Sequence, residues 1–235
     1  MGVGCFCHKS KEFHDLSEDE KQKIIKDMEK EDESLVFNME TIDYDPNYID
    51  QWKQKLPCNK DDKDLEIRIK LFKDFNRSEK RYISYKRLQI SIINYLELPN
   101  IIRDSTDANP IRLAANAAMN KYIRCNKIDC VLEWREFRIF LYYLKQYFTY
   151  MEIFKVNKKP EEHIINFEEF KKAVPQMNKF GVKLTEIEAQ IRFKKIDIDK
   201  DGNISFDDFC SYLIQNSIDL EDDKDWVKNE TDKFQ

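Results

Sequence analysis

The chain has 235 residues, with 40 Lys+Arg against 45 Asp+Glu and a formal net charge of −5. Both signs are interspersed, so no broad basic face exists for nucleic acid, and no nucleic-acid partner is expected. Aromatics reach 13%, which argues against wholesale disorder, while only 4 Gly and 6 Pro disfavour a large β fold or a glycine-rich nucleotide loop.

The pattern predicts an all-α protein. Residues 1–16 hold two of the four glycines and two of the six cysteines and read as a separate N-terminal segment. Residues 17–60 form a charged extension of helix and linker. Ser17 followed by Glu20 has the capping-box spacing and predicts a helix over Ser17–Glu33. From Leu65 the apolar residues Leu65, Ile69, Phe72 and Phe75 recur at three- and four-residue steps, as an amphipathic helix requires. Further helices are predicted around Ile83–Tyr95, Ile111–Ile123, Phe167–Val174, Leu184–Ile196 and Phe206–Ile214. The aromatic stretch Trp134–Phe154 reads as more than one helix. Its Arg135, Glu136, Arg138, Lys145 and Glu152 exclude a bilayer span.

These helices form an internal repeat of helix, short polar loop and helix. Each loop closes with a similar phrase: Ile83–Leu88, Leu132–Phe137, Ile165–Phe170 and Ile204–Phe209. Four EF-hand-like units in two paired lobes follow. Residues 61–148 form the degenerate N-terminal pair and 149–217 the C-terminal pair, with an acidic tail over 218–235.

One loop carries chemistry. Asp197–Asp208 fits a 12-residue calcium loop. Asp197, Asp199 and Asp201 stand at positions 1, 3 and 5, and Gly202 supplies the sharp turn at position 6. Asn203 offers its carbonyl at position 7, and Ser205 stands at position 9. Ile204 at position 8 is expected to pair with the partner loop in a short β contact. Position 12 is Asp208, one methylene shorter than the usual bidentate Glu, so Ca²⁺ binding weakens and six-coordinate Mg²⁺ is better tolerated. The metal set is therefore Asp197, Asp199, Asp201, Asn203, Ser205 and Asp208.

The other loops lack oxygens where a cation needs them. The first has Lys80 at position 5 and Arg87 at position 12. The second, from Cys125, has Lys127 at position 3 and keeps only Asp129, Glu133 and Glu136. The third retains Glu169 at position 12, but Lys158, Lys159 and Pro160 occupy its early positions. These three read as structural units that keep the hands paired.

The start, Met1-Gly2-Val3-Gly4-Cys5, has the form of an N-myristoylation site with Gly2 as acceptor, although residue 6 is Phe rather than Ser or Thr. Cys5 and Cys7 are candidates for S-palmitoylation. One myristoyl chain anchors only marginally, so a second acyl chain is the physically required complement.

Taken together, Arg68–Phe75, Glu133–Arg138, Phe170–Pro175, the Asp197–Asp208 loop and the Met-Gly-x-x-Cys start resemble the calflagins, flagellar calcium-binding proteins of protists. The resemblance spans about Leu65–Ile214. It implies an acylated four-EF-hand adaptor or sensor of the cilium or flagellum, held on the cytoplasmic side of the membrane. The implied partners are ciliary proteins and the inner membrane leaflet. In that family both C-terminal hands are calcium-competent, and here the third departs from the pattern. The alternative is a structural protein of the axoneme, docked on tubulin or neighbouring proteins. The aromatic run Trp134–Phe154 is a candidate partner surface, but reads first as the core shared by the lobes. No nucleophile, base and orienter arrangement is legible, so no catalytic residues are assigned and no enzyme is expected.

Overall fold

A computed structural model describes residues 13, 16–33, 35, 48–76, 82–99, 109–122, 131–155, 164–177 and 184–215. Among these, nine helices and four three-residue strands follow one another. They are α1 (Glu18–Asp32), α2 (Tyr48–Lys55), α3 (Asp62–Phe75), β1 (Tyr82–Ser84), α4 (Tyr85–Leu96) and α5 (Pro110–Tyr122). Then come β2 (Val131–Glu133), α6 (Trp134–Lys155), β3 (Ile164–Asn166), α7 (Phe167–Met177), α8 (Glu186–Ile196), β4 (Asn203–Ser205) and α9 (Phe206–Gln215). The fold is all-α, with strands confined to the loops.

The helix starts follow local chemistry. Ser17 caps α1 and Thr185 caps α8, each with a reciprocal glutamate three residues on, at Glu20 and Glu188. The hydrogen bond from the Thr185 backbone holds the Glu188 carboxyl below its ordinary pKa. Asp61 caps α3 and Ser84 caps α4.

The strands pair the hands two by two. β1 runs antiparallel to β2 with Ile83 opposite Leu132, and β3 to β4 with Ile165 opposite Ile204. The contact expected of Ile204 is therefore present. All four central residues are buried, so each ladder also plugs the top of its lobe.

The stretch Trp134–Phe154, expected to break into more than one helix, lies within one unbroken 22-residue helix, α6. No Gly or Pro interrupts it, and its aromatics from Trp134 to Tyr150 are buried except for the half-buried Tyr142. This helix leaves the second loop and also enters the third, so the boundary drawn at 148/149 falls inside it. Trp134, Phe137, Phe140, Tyr143, Leu144, Tyr147, Phe148, Tyr150 and Met151 are all buried. Phe72 and Phe75 of α3 meet Phe137 edge-on at 5.3 and 5.9 Å, and Tyr150 meets Phe209 of α9 at 6.0 Å. The aromatic run is thus the shared core and not an open partner surface.

The charged extension is not a bare linker. Ile49 and Trp52 of α2 are buried, with Trp52 5.5 Å from Phe148. Lys53 bridges Asp50 and Glu152, both at 2.7 Å. Burial opposes the Lys53 charge, but hydrogen bonds to Asp50 and Glu152 prevail and raise its pKa. Arg68 and Arg138, both fully buried, grip the turn that follows: Arg68 donates to the carbonyls of Pro57 and Asn59, and Arg138 to that of Cys58. Burial raises the Cys58 thiol pKa, so this cysteine stays neutral and protected.

Candidate metal centre

The fourth loop begins where α8 ends. Asp197 is the C-cap of α8, its N–H bonded to the Phe193 carbonyl. Burial of Phe193 and Ile196 anchors this end of the helix. The chain then turns twice through left-handed backbone, at Lys200 (φ 61°) and Gly202 (φ 85°). A Cβ at Gly202 would meet nothing within 4 Å. The glycine is therefore required by its backbone angle and not by crowding.

These turns gather the acids. One carboxylate oxygen each from Asp197, Asp199 and Asp201 lies within 4.8 Å of the others. Two oxygens bound to one Ca²⁺ at about 2.3–2.6 Å can be at most about 5 Å apart, so the spacing fits a shared ion. Backbone amides hold the carboxylates in place. Gly202 N donates to Asp197 Oδ2 at 3.1 Å, Asp201 N to Asp199 Oδ1 at 3.4 Å, and Asn203 N to Asp201 Oδ1 at 2.7 Å.

Asp197 supplies the direct test of fit. It is 8% exposed, and its Oδ1 is buried with no hydrogen-bond partner. A buried carboxylate oxygen without a partner is costly, and a hard divalent cation at the loop centre is the group that would satisfy it.

Ser205 and Asp208 close the loop on each other. Ser205 Oγ donates to Asp208 Oδ2 at 2.6 Å, and Asp208 N donates to Ser205 Oγ at 3.1 Å. The longer position-12 glutamates behave differently. Glu136 accepts from the backbone of Glu133 at 2.8 Å, and Glu169 from that of Asn166 at 2.9 Å. Asp208 stops at the hydroxyl of its cap residue, which is the structural consequence of the missing methylene.

The N-terminal hands use the same positions for another purpose. Arg87, at position 12 of the first loop, forms a buried ion pair with Asp32 of α1. Ser84 Oγ also donates to Asp32 Oδ2 in a short hydrogen bond, and Lys86 donates to the Asp32 carbonyl at 2.8 Å. At position 9 of the second loop, Glu133 accepts from Phe13 N at 2.5 Å. Phe13, Met28 and Val131 form a small buried cluster over this ladder, with Phe13 5.5 Å from Tyr82. The former ligand positions thus dock Phe13 and α1. Sequence reasoning gave Arg87 as a disabled ligand but had no signal for Asp32, which lies 55 residues away.

The early residues of the second and third loops, and Gly2, Cys5 and Cys7, lie outside the described residues. Among the described residues no helix is long and apolar enough to cross a membrane.

Comparison with known proteins agrees with this geometry. Residues 52–144 match the FCaBP EF-hand domain, and residues 161–216 match the EF-hand domain pair. The chain is similar to the flagellar calcium-binding protein of Trypanosoma cruzi, 25% identical over 175 residues that cover 74% of this chain and 82% of that protein. It is also similar to flagellar calcium-binding protein TB-17 of Trypanosoma brucei brucei, 26% identical and covering 74% of each chain. Flagellar calcium-binding protein TB-44A of the same organism is 27% identical over 72% of this chain and 41% of that protein.

Proposed function

The chain is an EF-hand protein of the flagellar calcium-binding (calflagin) family, and from that premise we propose that it is a calcium-responsive adaptor of the flagellum, tethered to the membrane by N-terminal acylation. The observation that carries the proposal is the buried, unpartnered Asp197 Oδ1 among three converging carboxylates. A cation there is held by Asp197, Asp199, Asp201, the Asn203 carbonyl, Ser205 and Asp208. Mg²⁺ competes for the same six oxygens.

The response starts at Asp208. To reach the ion its carboxylate must leave the Ser205 hydroxyl, and Asp208 sits in the first turn of α9. Its neighbour Asp207 pairs with Arg112 of α5 at 3.2 Å, which ties α9 to the N-terminal lobe. A shift of α9 on ion binding is therefore felt in both lobes. Anchoring comes from acyl chains on Gly2 and on Cys5 or Cys7.

A structural role in the axoneme is the second reading. It is favoured by the conversion of two hands into docking sites for Phe13 and α1, which suits a rigid brick. Detergent extraction of flagella separates the two. The adaptor leaves with the membrane fraction, and a scaffold stays with the axonemal pellet.

A further inference from the structure

Two neighbouring carboxylates in the first turn of α9 have different partners. Asp208 is tied to the Ser205 hydroxyl within the metal loop, whereas Asp207 Oδ2 accepts from Arg112 Nη2 of α5 at 3.2 Å. Successive residues on a helix point about 100° apart, so the two side chains reach in different directions from one rigid turn. A movement of α9 that carries one carboxylate carries the other.

Arg112 stands on a fixed element. Asn109 Oδ1 accepts from the Ile111 and Arg112 amides at 2.9 and 3.2 Å, and Ile111, Ala114 and Ala115 of the same helix are fully buried. The guanidinium also lies near Tyr85 of α4. Burial pushes the Tyr85 phenol up to about 12, and the Arg112 charge works against that rise. Arg112 therefore links the N-terminal hands to the helix that leaves the fourth loop. The other fixings of this turn are apolar: Phe206, Phe209 and Cys210 are buried, with Phe209 against Tyr150. Apolar contacts are non-directional and tolerate a small slide, whereas a hydrogen-bonded ion pair has a preferred distance.

Asp208 is one methylene, about 1.5 Å, shorter than the usual Glu. To reach an ion its carboxylate must leave Ser205, and α9 must advance by a similar distance. The Arg112–Asp207 pair is made in the arrangement in which Asp208 bonds Ser205, so it favours that arrangement over the advanced one.

We propose that Arg112 is a positioning residue for the fourth loop: through Asp207 it latches α9 where Asp208 bonds Ser205, and so lowers the affinity of the loop for calcium. The proposal rests on the calcium reading of this loop and names how the site is regulated. By reciprocity an ion in the loop loosens α9 from α5, so the N-terminal hands tune a site that they do not form.

Calcium calorimetry on the full chain tests the latch. The double change Arg112→Gln, Asp207→Asn breaks the pair and leaves the net charge beside the loop unaltered. It is expected to tighten calcium binding roughly two- to fivefold, the range for a pair whose side chains are 30% and 36% exposed. Arg112→Gln alone is expected to tighten binding at least as much, because it also removes a positive charge. In the Asp208→Glu background the longer side chain reaches without the advance, so the double change gains less than about twofold there. A double variant that binds as the wild type does, or more weakly, overturns the latch, even where Arg112→Gln alone binds more tightly through its lost charge. An equal gain in the Asp208→Glu background also overturns it. Absence of calcium heat from the wild-type chain overturns the metal reading itself, and no comparison among the variants gives that result.

Discussion

Asp32 Oδ1 lies 2.7 Å from Arg87 Nη2, joining the last residue of α1 to position 12 of the first loop. Where a working hand places a carboxylate to hold a cation, this hand places a cation to hold a carboxylate. Asp32 is 1% exposed, so the pair is removed from water and cannot lose one partner cheaply.

Replacing Asp32 by Ala is therefore predicted to destabilise the protein by about 3 kcal/mol, because the buried Arg87 is left with only the longer 3.9 Å contact to the half-exposed Glu31. The double change Asp32→Ala, Arg87→Met should recover much of that loss. Urea unfolding of the wild type, both single variants and the double variant closes the cycle. Additive single effects, or a cost for Asp32→Ala below about 1 kcal/mol, would show that α1 is not docked through this pair.

Asp208→Glu is predicted to tighten calcium binding by about tenfold and to raise calcium-over-magnesium selectivity, since the added methylene restores bidentate reach. The glutamates at the same position in the second and third hands already span that extra distance to the backbone. Competitive calcium and magnesium titrations measure both quantities. An unchanged or weakened calcium affinity would mean that α9 is held too far from the loop centre for a longer side chain to help.

Gly2→Ala is predicted to abolish myristoylation and to shift the full-length protein from flagellar membrane to the soluble fraction. Cys5→Ser with Cys7→Ser should leave only weak, reversible attachment, because each buried acyl CH₂ contributes about 0.8 kcal/mol and one chain is marginal. Intact mass of the native protein and cell fractionation read the two effects. Gly2→Ala protein that remains in the flagellum and resists both salt and detergent would favour the axonemal reading.

Much of this architecture is written locally. The Ser17/Glu20 capping box, the repeated phrases with apolar residues five positions apart and the Asp-x-Asp-x-Asp-Gly run each act over a few residues. They appear where the sequence places them, as does the Ile204 pairing with Ile165. What is set by distant residues was not legible. The continuity of α6 depends on burial against α3, α5 and α9, and its aromatic content alone fits one helix or two. Asp32 has the identity of a solvent-facing helix acid, and only the folded chain brings Arg87, Ser84 and Lys86 to it. The same holds for Trp52, which reads as part of a linker until Phe148 is placed beside it.

Calcium is expected at the fourth loop, because positions 12 and 9 of the first two loops hold Asp32 of α1 and Phe13 instead. Isothermal calorimetry of the full chain with calcium tests it most directly. The account predicts one ion per chain, with the heat abolished by Asp197→Ala, which removes the buried unpartnered oxygen and its neighbour that fixes the Gly202 turn. Two or more strong sites that survive Asp197→Ala would contradict it.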